Sequence, residues 1–326
     1  MAKKISRRGF IIGTSISPII AGGLVAQNTE DFPTEVTENE ETLEDVELNI
    51  TPYKASKDMP IGKIGNVEIS RLIAGGNIIS GIAHSRDLIY VSQLMKNYFT
   101  LQKVMETLAL YEANGINTAI LRVDKRTIEI INRYWKDFKG NIQWIAQAKP
   151  SKYNLYEDID VAVDNNAIGV YIQGQIGDEF VKKGDTKLLG RLVDYIRNKG
   201  VIAGIGAHSI DVIITCEKEG IVPDFYMKTF HPLTYWSAKH PEYHDNKWDF
   251  DPDKTKSVMK DVKVPWIAFK VLAGGAIHPK KGFDFAFKNG ADFMCVGIFD
   301  FQVEEDAKIA IHMYRRNKER TRPWYG

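Results

Sequence analysis

The chain has 326 residues, 44% of them hydrophobic, and a formal net charge of +1 from 43 basic and 42 acidic side chains. That length accommodates one large α/β domain or two smaller ones, with ample apolar material for a core. Without Lys3, Lys4, Arg7 and Arg8, which belong to the first segment, the acids are in slight excess, and the basic footprint of a nucleic-acid binder is excluded.

Residues 1–26 begin with basic side chains, continue through an apolar middle (Phe10 to Ala26) and end on small residues, the layout of a signal peptide. Ser6-Arg7-Arg8-Gly9-Phe10-Ile11 resembles the twin-arginine export motif. The resemblance implies the twin-arginine machinery as a partner and an exported, periplasmic or cell-envelope destination. Pro18 and the glycines interrupt an already short apolar run, so cleavage after Ala26 is expected to leave no stable membrane anchor. Residues 27–50 are acidic and polar, with little to bury, and read as a flexible linker. The folded domain is expected over residues 51–326.

From Pro60 to Ser70 the sequence reads as a hairpin turning at Gly65-Asn66, followed by an apolar strand, Leu72–Ala74, that glycines end. Thr100 to Asn114 carries Val104, Leu108 and Tyr111 on one helical face, with Gly115 behind it as a stop. Further strands are expected at Thr118–Val123, Ile142–Lys149, Ile168–Gln173, Ile202–His208, Phe225–Phe230, Trp266–Val271 and Phe293–Gly297. Helical patterns such as Lys187–Asn198, Asp211–Glu219, Lys280–Asn289 and Glu304–Asn317 lie between them. The strand runs are continuously apolar, as parallel strands buried on both faces require. Eight such units match a (β/α)8 TIM barrel, typically ~250 residues long. A doubly wound sheet is the alternative, but no GxGxxG fingerprint follows the first strand. Cys216 in a helical pattern and Cys295 in a strand run read as small core residues.

Three stretches together resemble the aldo-keto reductases: IGKIGNVEISRLIAGGN from Ile61, the lead Glu112-Ala113-Asn114-Gly115-Ile116-Asn117, and Ile267-Ala268-Phe269-Lys270-Val271-Leu272-Ala273-Gly274-Gly275. The resemblance implies an α/β barrel of that type with an N-terminal hairpin, a nicotinamide cofactor and an Asp–Tyr–Lys–His tetrad. Aligned on Gly115-Ile116-Asn117, the tetrad's Asp falls on Ile120 and its Tyr on Lys125, the Lys matches Lys149, and the His falls on Gln173. After the last strand, Phe299 to Asp306 is acidic where the family normally holds the cofactor's phosphates with basic residues. NAD(P) binding is therefore doubtful on sequence, and the cofactor is left open. Twin-arginine substrates often carry a cofactor or metal, so a metal is left open too.

Catalysis in such barrels sits at the C-terminal ends of the strands. The strand ends offer Lys149, His208, His231 and Asp124 as catalytic candidates, and Asn77, His84, Arg122, Gln173, Lys228, Lys270 and Trp236 as substrate contacts. Each lysine could instead be a structural pair with Asp124, Asp300 or Asp87, since an unpaired buried ammonium is costly. A metal held by His84, His208 and His231 is one reading; His240 and His244 have helical metal-ligand spacing but lie in a long loop. That loop, Leu233 to Asp253, is rich in aromatic residues, which either stack on sugar rings or pin the loop to the rim. The tail Arg315 to Tyr325 is expected to dock on the barrel. Three functions follow: a barrel enzyme of altered chemistry (lyase, isomerase or hydrolase) on a polar, carbohydrate-like small molecule; a divergent NAD(P)-dependent reductase; or a catalytically silent ligand-binding protein.

Overall fold

In a computed structural model, residues 56–83, 85, 88–151, 153–239 and 248–326 are described. The expected signal segment 1–26 and linker 27–50 lie outside them, as do His84, Arg86, Asp87 and the stretch 240–247 with His240 and His244. Among the described residues no helix is long and apolar enough to cross a membrane.

The chain starts with a hairpin, β1 (Ile61–Ile64) and β2 (Val67–Ser70), paired antiparallel. Gly65 makes the turn with a left-handed φ of 56°. Eight strands follow: β3 (Leu72–Gly75), β4 (Thr118–Arg122), β5 (Gln143–Ala148), β6 (Gly169–Ile172), β7 (Ile202–Ala207), β8 (Phe225–Thr229), β9 (Trp266–Phe269) and β10 (Phe293–Val296). All pair in parallel with their chain neighbours, and β10 closes the ring against β3 with Cys295 opposite Ile73. This is a (β/α)8 TIM barrel. Every expected strand is present, most of them a residue or two shorter than the apolar run.

The connections carry α1 (Tyr90–Tyr98), α2 (Leu101–Ala113), α3 (Lys125–Lys136), α4 (Glu157–Asp164), α5 (Gly174–Lys182), α6 (Lys187–Asn198), α7 (Ile210–Glu219), α8 (Pro252–Met259), α9 (Pro279–Lys288) and α10 (Val303–Arg316). Their starts obey capping chemistry. Thr100, Asp124, Ser209 and Asp251 each accept a backbone N–H of the first turn of the helix they open. Asp124, expected as a catalytic acid, thus also opens α3.

The barrel interior is one apolar cluster: Ile73, Ile120, Ile145, Tyr171, Phe225, Met227, Ile267, Phe293 and Cys295, joined from below by Ile64 and Ile69 of the hairpin. The hairpin therefore stoppers the N-terminal end, and only the C-terminal end is available as a mouth. Beside the stopper, Asp292 just ahead of β10 is wholly buried and receives Arg320 (3.2 Å) and Arg322 (2.5 Å). Arg71, just ahead of β3, donates to the carbonyl oxygens of Asp292 and Gly326. The tail docks as the sequence leads one to expect.

Candidate active site

Side chains on a strand alternate between its two faces. Ile120, Ile145, Tyr171, Met227 and Ile267 occupy the interior. Two residues onward the same face carries Arg122, Gln147, Gln173, Thr229 and Phe269, and the same count along β7 from Ile202 reaches His208. One more step on β5 gives Lys149. Of these residues, all but Thr229, which is fully buried, line the mouth, above a floor where Gln147 Nε2 donates to the Tyr171 hydroxyl at 2.5 Å.

His208 is the best organised of them. Asp178, on α5, places Oδ2 2.9 Å from its Nδ1. The same carboxylate accepts the backbone N–H of His208 at 3.1 Å and of Ser209 at 2.9 Å. With a carboxylate facing Nδ1 the ring proton sits there, and Nε2 is left as the basic nitrogen. The helix comes this near because Gly177 lacks a side chain: a Cβ there would lie 2.3 Å from the Gly206 carbonyl oxygen. The imidazole stands 5.5 Å from the Phe269 ring and 5.3 Å from the Trp248 ring. His208 and Asp178 side chains are 25% and 26% exposed, so a small molecule in the mouth reaches them. Asp178 escaped the sequence reading. Its only signal is the Gly174/Gly177 spacing, and that marks close helix packing without saying against which strand.

Arg122, Asp124 and Lys149 form a second group at the ends of β4 and β5. Arg122 Nε lies 2.9 Å from Asp124 Oδ2, and Asp124 Oδ1 accepts the Thr127 N–H at 2.7 Å. Desolvation, and then the Arg122 guanidinium, lower the pKa of the exposed Lys149 ammonium. Gln173 opens α5 beside His208, half-buried.

Lys270 reaches the rim another way. It follows β9 with a φ of 56°, a left-handed conformation rare outside glycine. The turn breaks the strand alternation and sets Nζ 3.5 Å from the centroid of the Trp248 ring, a cation–π contact. Burial lowers its pKa to about 8.

Two expected residues are placed elsewhere. Lys228 shares the outward face of β8 with Tyr226, whose hydroxyl meets Glu217 on α7. Its Nζ, fully buried, donates to the Thr229 carbonyl and hydroxyl oxygens at 2.8 Å and lies 3.7 Å from Asp249 Oδ1. Desolvation lowers the lysine's pKa and raises the aspartate's. His231 is buried, and its Nε2 accepts the backbone N–H groups of Trp248 (2.9 Å) and Asp249 (3.1 Å) while Nδ1 faces the Pro232 carbonyl oxygen at 3.1 Å. Both hold the 248–249 segment in place behind the wall. Asn77 is exposed, its carbonyl oxygen accepting the N–H groups of Ile82 and Ala83. Tyr235 and Ala238 pack on Ala273 and Ile277, pinning the start of the aromatic insert to the rim, while Trp236 is 74% exposed.

No group of His, Cys, Asp and Glu suited to a metal ion occurs among the described residues, and His231 spends both ring nitrogens on backbone. For the tetrad positions, Ile120 is in the barrel core, Lys125 opens α3, Lys149 follows β5 and Gln173 stands just ahead of α5 without a side-chain capping bond. Where the family resemblance implies cofactor phosphates, Asp300 accepts the Tyr98 hydroxyl and pairs with Lys103, and Glu304, Glu305 and Asp306 fill the first turn of α10. A pyrophosphate there would meet carboxylates, so these residues do not fit a nicotinamide dinucleotide.

No protein-family model and no curated protein matches the chain. Among solved structures it is similar to a provisionally named aldo-keto reductase from Pseudomonas aeruginosa, with a TM-score of 0.53 at 13% identity over 78% of this chain and 94% of that one. A second structure of that description gives 0.52 at 12% identity, again over 78% of this chain and 94% of that one. The apo form of Gox0644 gives 0.50 at 9% identity over 81% of this chain and 96% of that one. At such identities the likeness is one of fold.

Proposed function

We propose that this barrel is an enzyme whose chemistry is proton transfer by His208, oriented by Asp178, on a polar small molecule bound in the mouth. The 2.9 Å contact between His208 Nδ1 and Asp178 Oδ2 carries the reading. A histidine held by a carboxylate at the end of a barrel strand is the arrangement of a general base, and Asp178 stabilises the imidazolium once Nε2 has taken the proton. Arg122, Lys149 and Gln173 are donors for an anionic or polyhydroxylated substrate, and Trp248 offers an aromatic face. Lyase, isomerase and hydrolase reactions all fit such a base. Reduction through an Asp–Tyr–Lys–His tetrad does not, because Ile120, Lys125 and Gln173 stand at three of its positions. We also propose that residues 1–26 send the folded chain out of the cytoplasm by the twin-arginine route. Replacing Arg7 and Arg8 by lysine in the full chain should then retain it inside the cell.

The catalytic reading is tested in deuterium oxide with a panel of oxo acids, hydroxy acids and sugar acids. Deuterium uptake or turnover is expected, abolished by His208→Gln and reduced roughly 10²–10⁴-fold by Asp178→Asn. Tight NADPH binding with hydride transfer would overturn it in favour of a divergent reductase. Ligand binding with no exchange or turnover would mark a silent binding protein.

A further inference from the structure

The order of strands in the closed ring places β5 and β9 four steps apart among eight, on opposite walls, with β7 midway between them. Lys149 and Lys270 therefore follow strands on opposite walls of the mouth, and His208 follows the strand at the middle of the arc. With strands ~4.8 Å apart and tilted ~36°, an eight-stranded barrel is roughly 15 Å across. Two lysine side chains close much of that span, so anything touching both is short.

Among the described residues, the acids near these lysines and His208 are engaged by protein groups. Asp124 is engaged by Arg122 and by the Thr127 amide, and Asp178 by His208 and two amides. Asp158, the other acid near Lys149, accepts that residue's backbone N–H at 2.7 Å. Arg122, paired with Asp124, stands close enough to Lys149 to disfavour its charge, Asp158 and Asp124 partly offset this, and an anion between the two cations would add to that relief. On the far wall the backbone at Lys270 holds a left-handed turn that puts its ammonium on the rim against Trp248. A left-handed non-glycine residue at a strand end is the sort of strain that functional sites retain.

We infer that the mouth takes a small molecule with an acidic group at each end, one end held by Arg122 and Lys149 and the other by Lys270, so that the carbon between them lies beside His208. The location of the reacting carbon rests on the acid–base reading of His208, whereas the two-ended grip does not. Carboxylate and phosphate share the chemistry required at either end.

The grip is measured by calorimetric titration of the full chain with malonate, succinate, glutarate and adipate, with phosphonocarboxylates of matching lengths, and with the corresponding monoacids. Diacids of one favoured length are expected to bind at least about tenfold tighter than the monoacids. Lys149→Gln and Lys270→Gln should each bring the diacid down to monoacid affinity, and Lys149→Arg and Lys270→Arg should restore most of it. The phosphonate series tells which end, if either, takes phosphate. Equal affinity for mono- and diacids, no dependence on length, an unaffected Lys270→Gln protein that melts like the parent, or no binding in either series would each overturn the inference. His208→Gln separates the two readings: it should abolish turnover and leave diacid binding in place. Loss of turnover without any preference for diacids would sink the grip and keep the base.

Discussion

Asp306 shows how strongly a single position can set the pH behaviour of this protein. It lies 4% exposed in the first turn of α10, where burial and the neighbouring Glu305 raise its pKa to about 6. A carboxyl whose folded pKa exceeds its unfolded one favours folding while protonated. Its contribution is complete below about pH 4 and is lost as pH rises through about 6. Asp306→Asn should therefore stabilise the chain above neutrality by roughly 1–3 kcal/mol, raising the melting temperature by a few degrees, and change little at pH 4. Thermal melts at the two pH values check this; equal shifts at both would show that ionisation is not the cause. The carboxylate beside His208 serves orientation instead. That partner was out of reach of the sequence because Asp178 and His208 are 30 positions apart and meet only through the close contact at Gly177.

At the scale of elements, the segment leading into α8 is fastened by side chains that resemble site residues. His231 takes two of its amides, and the Thr229 hydroxyl lies 3.1 Å from both the Trp248 and the His208 carbonyl oxygens. The Trp248 ring is thereby presented to His208 and Lys270 from a fixed backbone. His231→Ala leaves two buried amides without their acceptor, a loss of about 1–3 kcal/mol. The expected signs are faster amide exchange at 248–249 and altered tryptophan fluorescence, while an unchanged exchange rate would assign the anchoring to other contacts. The strands themselves were legible, because a run buried on both faces must be apolar throughout. That same property hid the facing of each residue. In Phe225-Tyr226-Met227-Lys228-Thr229 each face carries a polar side chain near its end, Lys228 on one and Thr229 on the other, so polarity does not say that Met227 looks inward and Lys228 outward. On β4 and β5 the polar residues Arg122 and Gln147 lie on the same face as Ile120 and Ile145, which gives those strand ends a polar side chain at the mouth.

For the molecule as a whole, the two ends of the barrel have opposite chemistry. The mouth gathers side chains that a ligand can reach, whereas the stoppered end buries its charges in a closed set. Asp292 accepts the amides of Trp266 and Tyr325 as well as Arg320 and Arg322. Arg322 further donates to the carbonyl oxygens of Val262, Val264 and Gly290. Arg71 lies between the rings of Phe293 and Trp324, 4.7 Å from each centroid. Removing one partner strands the rest in a dry site, so Arg322→Ala should cost about 3–5 kcal/mol, where an exposed ion pair would cost under about 1 kcal/mol. Urea melts of that variant beside Lys308→Ala, whose partner Glu304 is exposed, make the comparison. Similar midpoints for the two would show that the set contributes no more than a surface pair.

The tail also sets an order in time. The seam that closes the ring joins β3 to β10, and the bond from Arg71 to Gly326 spans 255 positions. During synthesis β3 emerges before β4 to β9 and must wait for all of them before either β10 or the residues that lock the joint arrive. Until then β3 presents an unpaired edge, the feature that invites pairing with other chains. A chain stalled or cut short of Arg320 would have every strand of the barrel and still lack its clasp. On the export route proposed for this protein, residues 320–326 separate a clasped barrel from one still able to aggregate.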